Sequence, residues 1–188
     1  MNGVIRRRGF GSDNTEVIEI SNPKEITYTF TTTADNVQIR FGYFLNFYLS
    51  KVELDGVKVT FGGSDEQIPI PTAGHHVVRM FLKNKPDYSS DNYAIILTSF
   101  SFESVVLPYN FGSKYGYNGT YPIDVNFGGS NVEVVYFLDT IPFKTKKLYN
   151  NALSHIKAIY IPKGSKQAYI SNGYPADKLI EVKYKYTL

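Results

Sequence analysis

From Thr15 onward, apolar side chains recur at every second position, and a period of two restricts a chain to strands half-buried on a sheet. Ile26, Tyr28 and Phe30 alternate with Thr27, Thr29 and Thr31, and Val37, Ile39 and Phe41 alternate with Gln38 and Arg40. Glu16–Ile20 has the same character and is closed by Pro23. Lys51–Val59 carries Asp55-Gly56 between two alternating arms, and that dipeptide supplies the positive φ values of a type I′ hairpin turn. A further strand, His75–Leu82, follows the turn Pro71–Gly74. Short strands with turn signals about every 8–12 residues predict a mainly β fold, with an Ig-like antiparallel β-sandwich over residues 15–100.

The core of such a fold needs large side chains, and 16 Tyr and 13 Phe provide them. The absence of Cys excludes a disulfide scaffold, thiolate metal sites and a Cys nucleophile. No apolar run approaches the roughly 18 residues of a membrane span, so membrane insertion is not expected. The basic residues at the start are followed by no apolar stretch, so a secretory signal is not expected either. Residues 1–14 read as an N-terminal basic arm, with Arg6, Arg7 and Arg8 between Val4, Ile5 and Phe10. An arm with so little to bury becomes ordered by lying on another surface.

Residues 101–188 predict a second β-rich unit. Three strand-to-proline units can be read in it: Phe102–Pro108, Tyr136–Pro142 and Ile156–Pro162. Their spacing is irregular, which predicts a short, degenerate repeat array rather than a horseshoe. Short helices are expected near 147–153 and 165–171. The last stretch reads Ile159-Tyr-Ile-Pro-Lys-Gly-Ser165, Ala168-Tyr169 and Pro175-Ala-Asp-Lys-Leu-Ile-Glu-Val182. It resembles the closing segment of BspA-like leucine-rich-repeat proteins of Bacteroidales and their phages. Phe30-Thr-Thr-Thr33, Val52-Glu-Leu-Asp-Gly-Val57 and Thr72-Ala-Gly-His-His-Val77 resemble the small β-domain that precedes the repeats in that family. Val4-Ile-Arg-Arg-Arg8 is similar to the starts of prophage structural proteins. The resemblance implies a surface or virion scaffold: a leucine-rich-repeat-like end following the sandwich, and no catalytic role.

Charge is unevenly spread. Residues 1–139 hold 11 basic and 15 acidic residues, whereas 140–188 hold nine Lys against Asp177 and Glu181. Such asymmetry points to an oriented contact with an acidic partner or a neighbouring subunit, or to a solvated face; nucleic acid is not expected as the partner. The adjacent His75 and His76 would point to opposite faces of a strand and cannot share a metal, so no metal or cofactor is expected. No Gly-x-Ser-x-Gly elbow or phosphate loop is present, and the carboxylates fall in turns or on strand faces. The segment Tyr109–Gly129 sets Tyr109, Phe111, Tyr115, Tyr117, Tyr121 and Phe127 among five Gly. Rings in that context either recognise protein or glycan or pack between subunits.

The reading that joins these features is a non-enzymatic structural protein of a bacteriophage virion: a head decoration, fibre-associated or tail-appendage subunit. Val4–Phe10 would anchor it to other virion proteins within a homo-oligomeric or symmetric assembly. The aromatic segment would face partners or a host surface protein or glycan. The alternative is a bacterial cell-surface adhesion module.

Overall fold

The computed structural model describes residues 5–40, 49–60, 67–82, 94–96, 101–108, 124–126, 131–142 and 155–187. The fold is mainly β. Fourteen strands and one short helix occur in the described residues, and ten of the strands form one mixed sheet.

The antiparallel part is built from β3 (Glu25–Thr32), β5 (Leu49–Leu54), β6 (Val57–Val59) and β8 (Gly74–Leu82), in the order β3-β8-β5-β6. The apolar row of β3 is buried as expected, with Ile26, Tyr28 and Phe30 fully enclosed. Thr27, expected on the solvent side, is buried too because the second cluster covers the other face near Val106. Asp55 and Gly56, at φ 52° and 85°, make the β5–β6 turn. A separate antiparallel pair, β4 (Val37–Arg40) with β7 (Gln67–Ile70), lies over this part. Its Ile39, Ile68 and Ile70 share one buried cluster with Ile26, Phe30, Val52, Val78 and Met80.

The parallel part follows chain order. β10 (Ser101–Leu107), β12 (Asn131–Phe137), β13 (Ala158–Pro162) and β14 (Leu179–Thr187) lie side by side, each parallel to the next. Two short strands that precede members of this series, β9 (Ala94–Ile96) and β11 (Asp124–Asn126), also pair in parallel. Val106, Tyr136, Tyr160 and Ile180 sit at one level of the ladder, at intervals of 30, 24 and 20 residues. The middle unit differs from the expected Tyr136–Pro142. Its strand is Asn131–Phe137, and Pro142 lies past the end because the register aligns Tyr136 with both Val106 and Tyr160. Burial decides that register. It places Val105, Val135, Ile159 and Leu179 in one inward row, which a four-residue slide would break.

The crossover from β13 to β14 holds helix α1 (Lys166–Ser171), at the predicted place; the helix expected near 147–153 lies outside the described residues. Gly164, at φ +85°, turns the chain, and Glu181 of β14 accepts the N–H groups of Gly164 at 2.9 Å and Lys166 at 3.0 Å. The carboxylate satisfies a donor that the helix start leaves open. Tyr169 then packs inward with Phe137 and Tyr174.

β3 pairs with β10, so the sheet runs without a break across residue 100, where the sandwich and the β-rich unit were expected to meet. At its far end β14 pairs in parallel with β2 (Glu16–Ser21), which pairs with β1 (Ile5–Phe10). The expected arm is therefore, from Ile5 onward, the edge strand of the chain's own sheet. The sheet has a buried cluster on each face: the large one named above, and a second of Ile18, Ile20, Val106, Tyr136, Leu138, Tyr160 and Val182.

One side chain in this frame works against burial. Glu25, at the start of β3, has its Oε2 enclosed with no hydrogen-bond partner among the described residues. Burial raises its pKa above the usual carboxylate range; Arg79 opposes the shift and Glu53 adds to it. Folding thus favours the protonated form. The stability that proton brings is present below the unfolded pKa and lost as pH rises through the folded value. Glu25→Gln is expected to flatten stability across that window and to raise it at neutral pH, by less than about 1 kcal/mol because solvent screens the group. Urea midpoints across the acidic range check both.

Candidate docking surface

The N-terminal hairpin carries the basic triplet. Gly11 and Asn14 close it, with Gly11 N–H donating to Thr15 O at 2.7 Å, Asn14 N–H to Gly11 O at 2.9 Å, and Asn14 at φ 59°. Gly9, at φ +90°, lies where the pairing shifts between Arg7 and Phe10. Such a bulge needs a residue without a Cβ penalty at positive φ.

Strand alternation splits the triplet between two faces. Arg7 lies opposite Ile18 and joins the face of the second buried cluster. Its guanidinium donates to the Tyr160 hydroxyl, stands 5.3 Å from that ring's centroid and contacts Glu16 at 3.3 Å. Burial works against the Arg7 charge, but Tyr160 and Glu16 outweigh it and hold the pKa above its ordinary value. The Tyr160 ring stacks on Tyr136 at 4.8 Å. Tyr136 is raised by burial and by Tyr160, with Arg7 opposing. Arg7 thus bridges from the edge strand, across β2 and β14, to the middle of the parallel series. Tyr184, opposite Ile18 on the same face, has its hydroxyl enclosed without a partner among the described residues, and burial raises its pKa strongly.

The other face is cationic. Arg6 of β1, Glu19 of β2 and Lys185 of β14 form one cross-strand row, Val17 and Lys183 pair on the same face, and Arg8 reaches that face beside the pairing shift. Arg8 binds the Glu19 carboxylate, and Arg8 first, then Lys185 and Arg6, hold its pKa below the usual range. Asp13 in the hairpin turn is shared by Lys163 and by Lys183, the latter at 3.0 Å, and both lower its pKa. Five cations therefore stand around two carboxylates. Arg6 and Lys185 form no ion pair with any described residue.

Of the residues expected to anchor the protein, Val4 lies outside the described residues. Ile5 is half-buried, Arg7 and Arg8 are engaged within the chain, Arg6 is exposed and Phe10 is 73% exposed. Tyr109, Phe111, Tyr115, Tyr117, Tyr121 and Phe127 all lie outside the described residues. Lys183 and Lys185 were legible only as part of the lysine-rich end. Their alternation in the last strand is the signal that puts them on one face, but nothing local brings them beside β1.

The two adjacent histidines do face opposite ways. His75 is exposed and lies 3.5 Å from Glu103, whereas His76 is buried between Asp55 and the Thr72 carbonyl. No group of three or more metal-ligating side chains converges among the described residues, and no described helix is long and apolar enough to cross a membrane. No protein-family model, curated protein or solved structure matches the chain.

Proposed function

We propose that the protein is a non-enzymatic structural subunit of a bacteriophage particle, a decoration, fibre-associated or tail-appendage protein that attaches to other virion proteins through its N-terminal strand. The observation that carries this reading is the position of β1. It ends the ten-strand order, pairs only with β2 among the described residues, and presents the exposed Arg6 and Phe10. An open edge with an exposed aromatic ring is a surface on which a neighbouring chain gains main-chain hydrogen bonds and buried area together.

The same reading takes β3–β8 as the Ig-like sandwich. In its support, β4 and β7 share a buried cluster with β3, β5 and β8. It takes β10–β14 as a degenerate end of a BspA-like leucine-rich-repeat array, supported by parallel strands stacked in chain order with a helix in the last crossover. Residues 109–121, with their Tyr and Phe, would face the host or a further subunit, and the assembly would be symmetric.

Solution mass and co-sedimentation with phage particles test the proposal, comparing the full chain with one lacking residues 1–10, which keeps Asp13 and its lysines. Assembly or particle binding by the full chain, lost on truncation, is the expected result. Two equal monomers that ignore particles overturn it and favour the adhesion module, which glycan and host-protein binding would then identify.

A further inference from the structure

The two faces of β1 differ in chemistry, and together they describe what can lie alongside it. On one face Arg6 and Arg8 are two residues apart, about 7 Å along the strand. Lys185 stands level with Arg6 two strands away, about 10 Å across, with Glu19 between, and Lys183 follows on the same face of β14. On the other face are half-buried Ile5 and exposed Phe10. We propose that β1 accepts an extended segment of a partner protein in which carboxylate and apolar side chains alternate, added as a further strand on the outer edge of the sheet. The inference rests on the attachment role proposed for β1 and names the chemistry of what it attaches to.

A strand repeats its side chains on one face about every 7 Å, so one carboxylate of the segment meets Arg6 in the regular part of β1 and the next falls near Arg8, where the pairing shifts. The apolar positions of the same segment fall on the side of Ile5 and Phe10. A second copy of β1 does not fit, because antiparallel self-pairing sets arginines against arginines. Single-stranded nucleic acid fits less well. The tyrosines of β14 lie on the face opposite the cations, which leaves no stacking platform beside them among the described residues. Among the described residues, an anionic membrane would find only Val17, beside Lys183, as an apolar side chain within the cationic cluster.

The test uses the full chain and an eight-residue peptide alternating glutamate with valine. Controls are a peptide of the same composition with the glutamates in one block, an oligothymidine, and vesicles containing an anionic lipid. Affinity is read by fluorescence anisotropy, and site by hydrogen exchange of the Ile5–Phe10 amides. The alternating peptide is expected to bind and to protect those amides. Arg6→Glu is expected to weaken binding by at least about tenfold, and Phe10→Ser by about threefold. Both side chains are exposed, so unchanged urea midpoints verify that the variants fold. Equal binding of the block peptide, tighter binding of oligonucleotide or vesicle, no effect of Arg6→Glu, or no binding at millimolar peptide each overturn the inference. If particle binding still depends on residues 1–10 while the peptide is ignored, the attachment role stands and only the partner chemistry falls.

Discussion

Tyr169→Ala is expected to cost about 3–5 kcal/mol, a large share of the roughly 5–15 kcal/mol that keeps a domain folded. Tyr169 is the one fully buried side chain of α1 and its main anchor to the core, beside half-buried Ile170 and the Lys166 hydrogen bonds to β14. Its ring lies 5.4 Å from Phe137 and 5.1 Å from Tyr174, edge-on or tilted, the geometry in which aromatic quadrupoles attract. Its hydroxyl donates to Asp139 O at 2.7 Å, in the segment that leaves β12. Removing the ring opens a cavity between α1, the turn at Tyr174 that follows it, and Phe137 of the distant β12. Tyr169→Phe keeps the ring but leaves the buried Asp139 carbonyl without this donor, an expected loss of about 1–3 kcal/mol. Urea unfolding of the two variants separates the terms. Equal losses would mean that the hydrogen bond, not the packing, holds α1 in place.

The second large effect is expected in the β5–β6 hairpin, where Asp55→Ala should cost about 2–4 kcal/mol. The Asp55 carboxylate accepts His76 Nδ1 at 2.8 Å and the Val77 N–H at 2.8 Å. The other ring nitrogen of His76 lies 2.9 Å from the Thr72 carbonyl, and the ring packs 5.6 Å from Phe30. One side chain in a turn thus holds a neighbouring strand and a buried imidazole. Asp55 also sits at φ 52°, which Asp and Asn tolerate and Ala resists. Asp55→Asn should therefore lose markedly less than Asp55→Ala. A double-mutant cycle with His76→Ala is expected to give a coupling of about 1–2 kcal/mol. A coupling near zero would show that the turn conformation alone accounts for the Asp55 effect.

The two regions differ in how much of them could be read in advance. The hairpin was legible because a dipeptide with positive φ sits between two alternating arms, and turn chemistry is local. His76, by contrast, read only as a histidine that could not share a metal with His75. Its clamp depends on Asp55, 21 residues earlier, and on a pairing that brings Val77 beside the turn. The docking surface was legible as two separate charge features, a basic start and a lysine-rich end. Their meeting on one face was not.

What the sequence determined by itself is local: the alternation that makes strands, the Asp55-Gly56 turn, and the short helix after Pro162 and Gly164. Each depends on backbone preferences and side-chain periodicity within a few residues, and these act before any distant contact forms. The order of strands was decided only by the tertiary structure. Alternation says which face of β2 is apolar but not that β14 will lie beside it, nor that β3 will pair with β10 across residue 100. Those choices follow from burying two clusters at once. The same arrangement brings Arg7 to Tyr160 on one face, while on the other Arg6 stands in register with Glu19 and Lys185 and Arg8 binds Glu19.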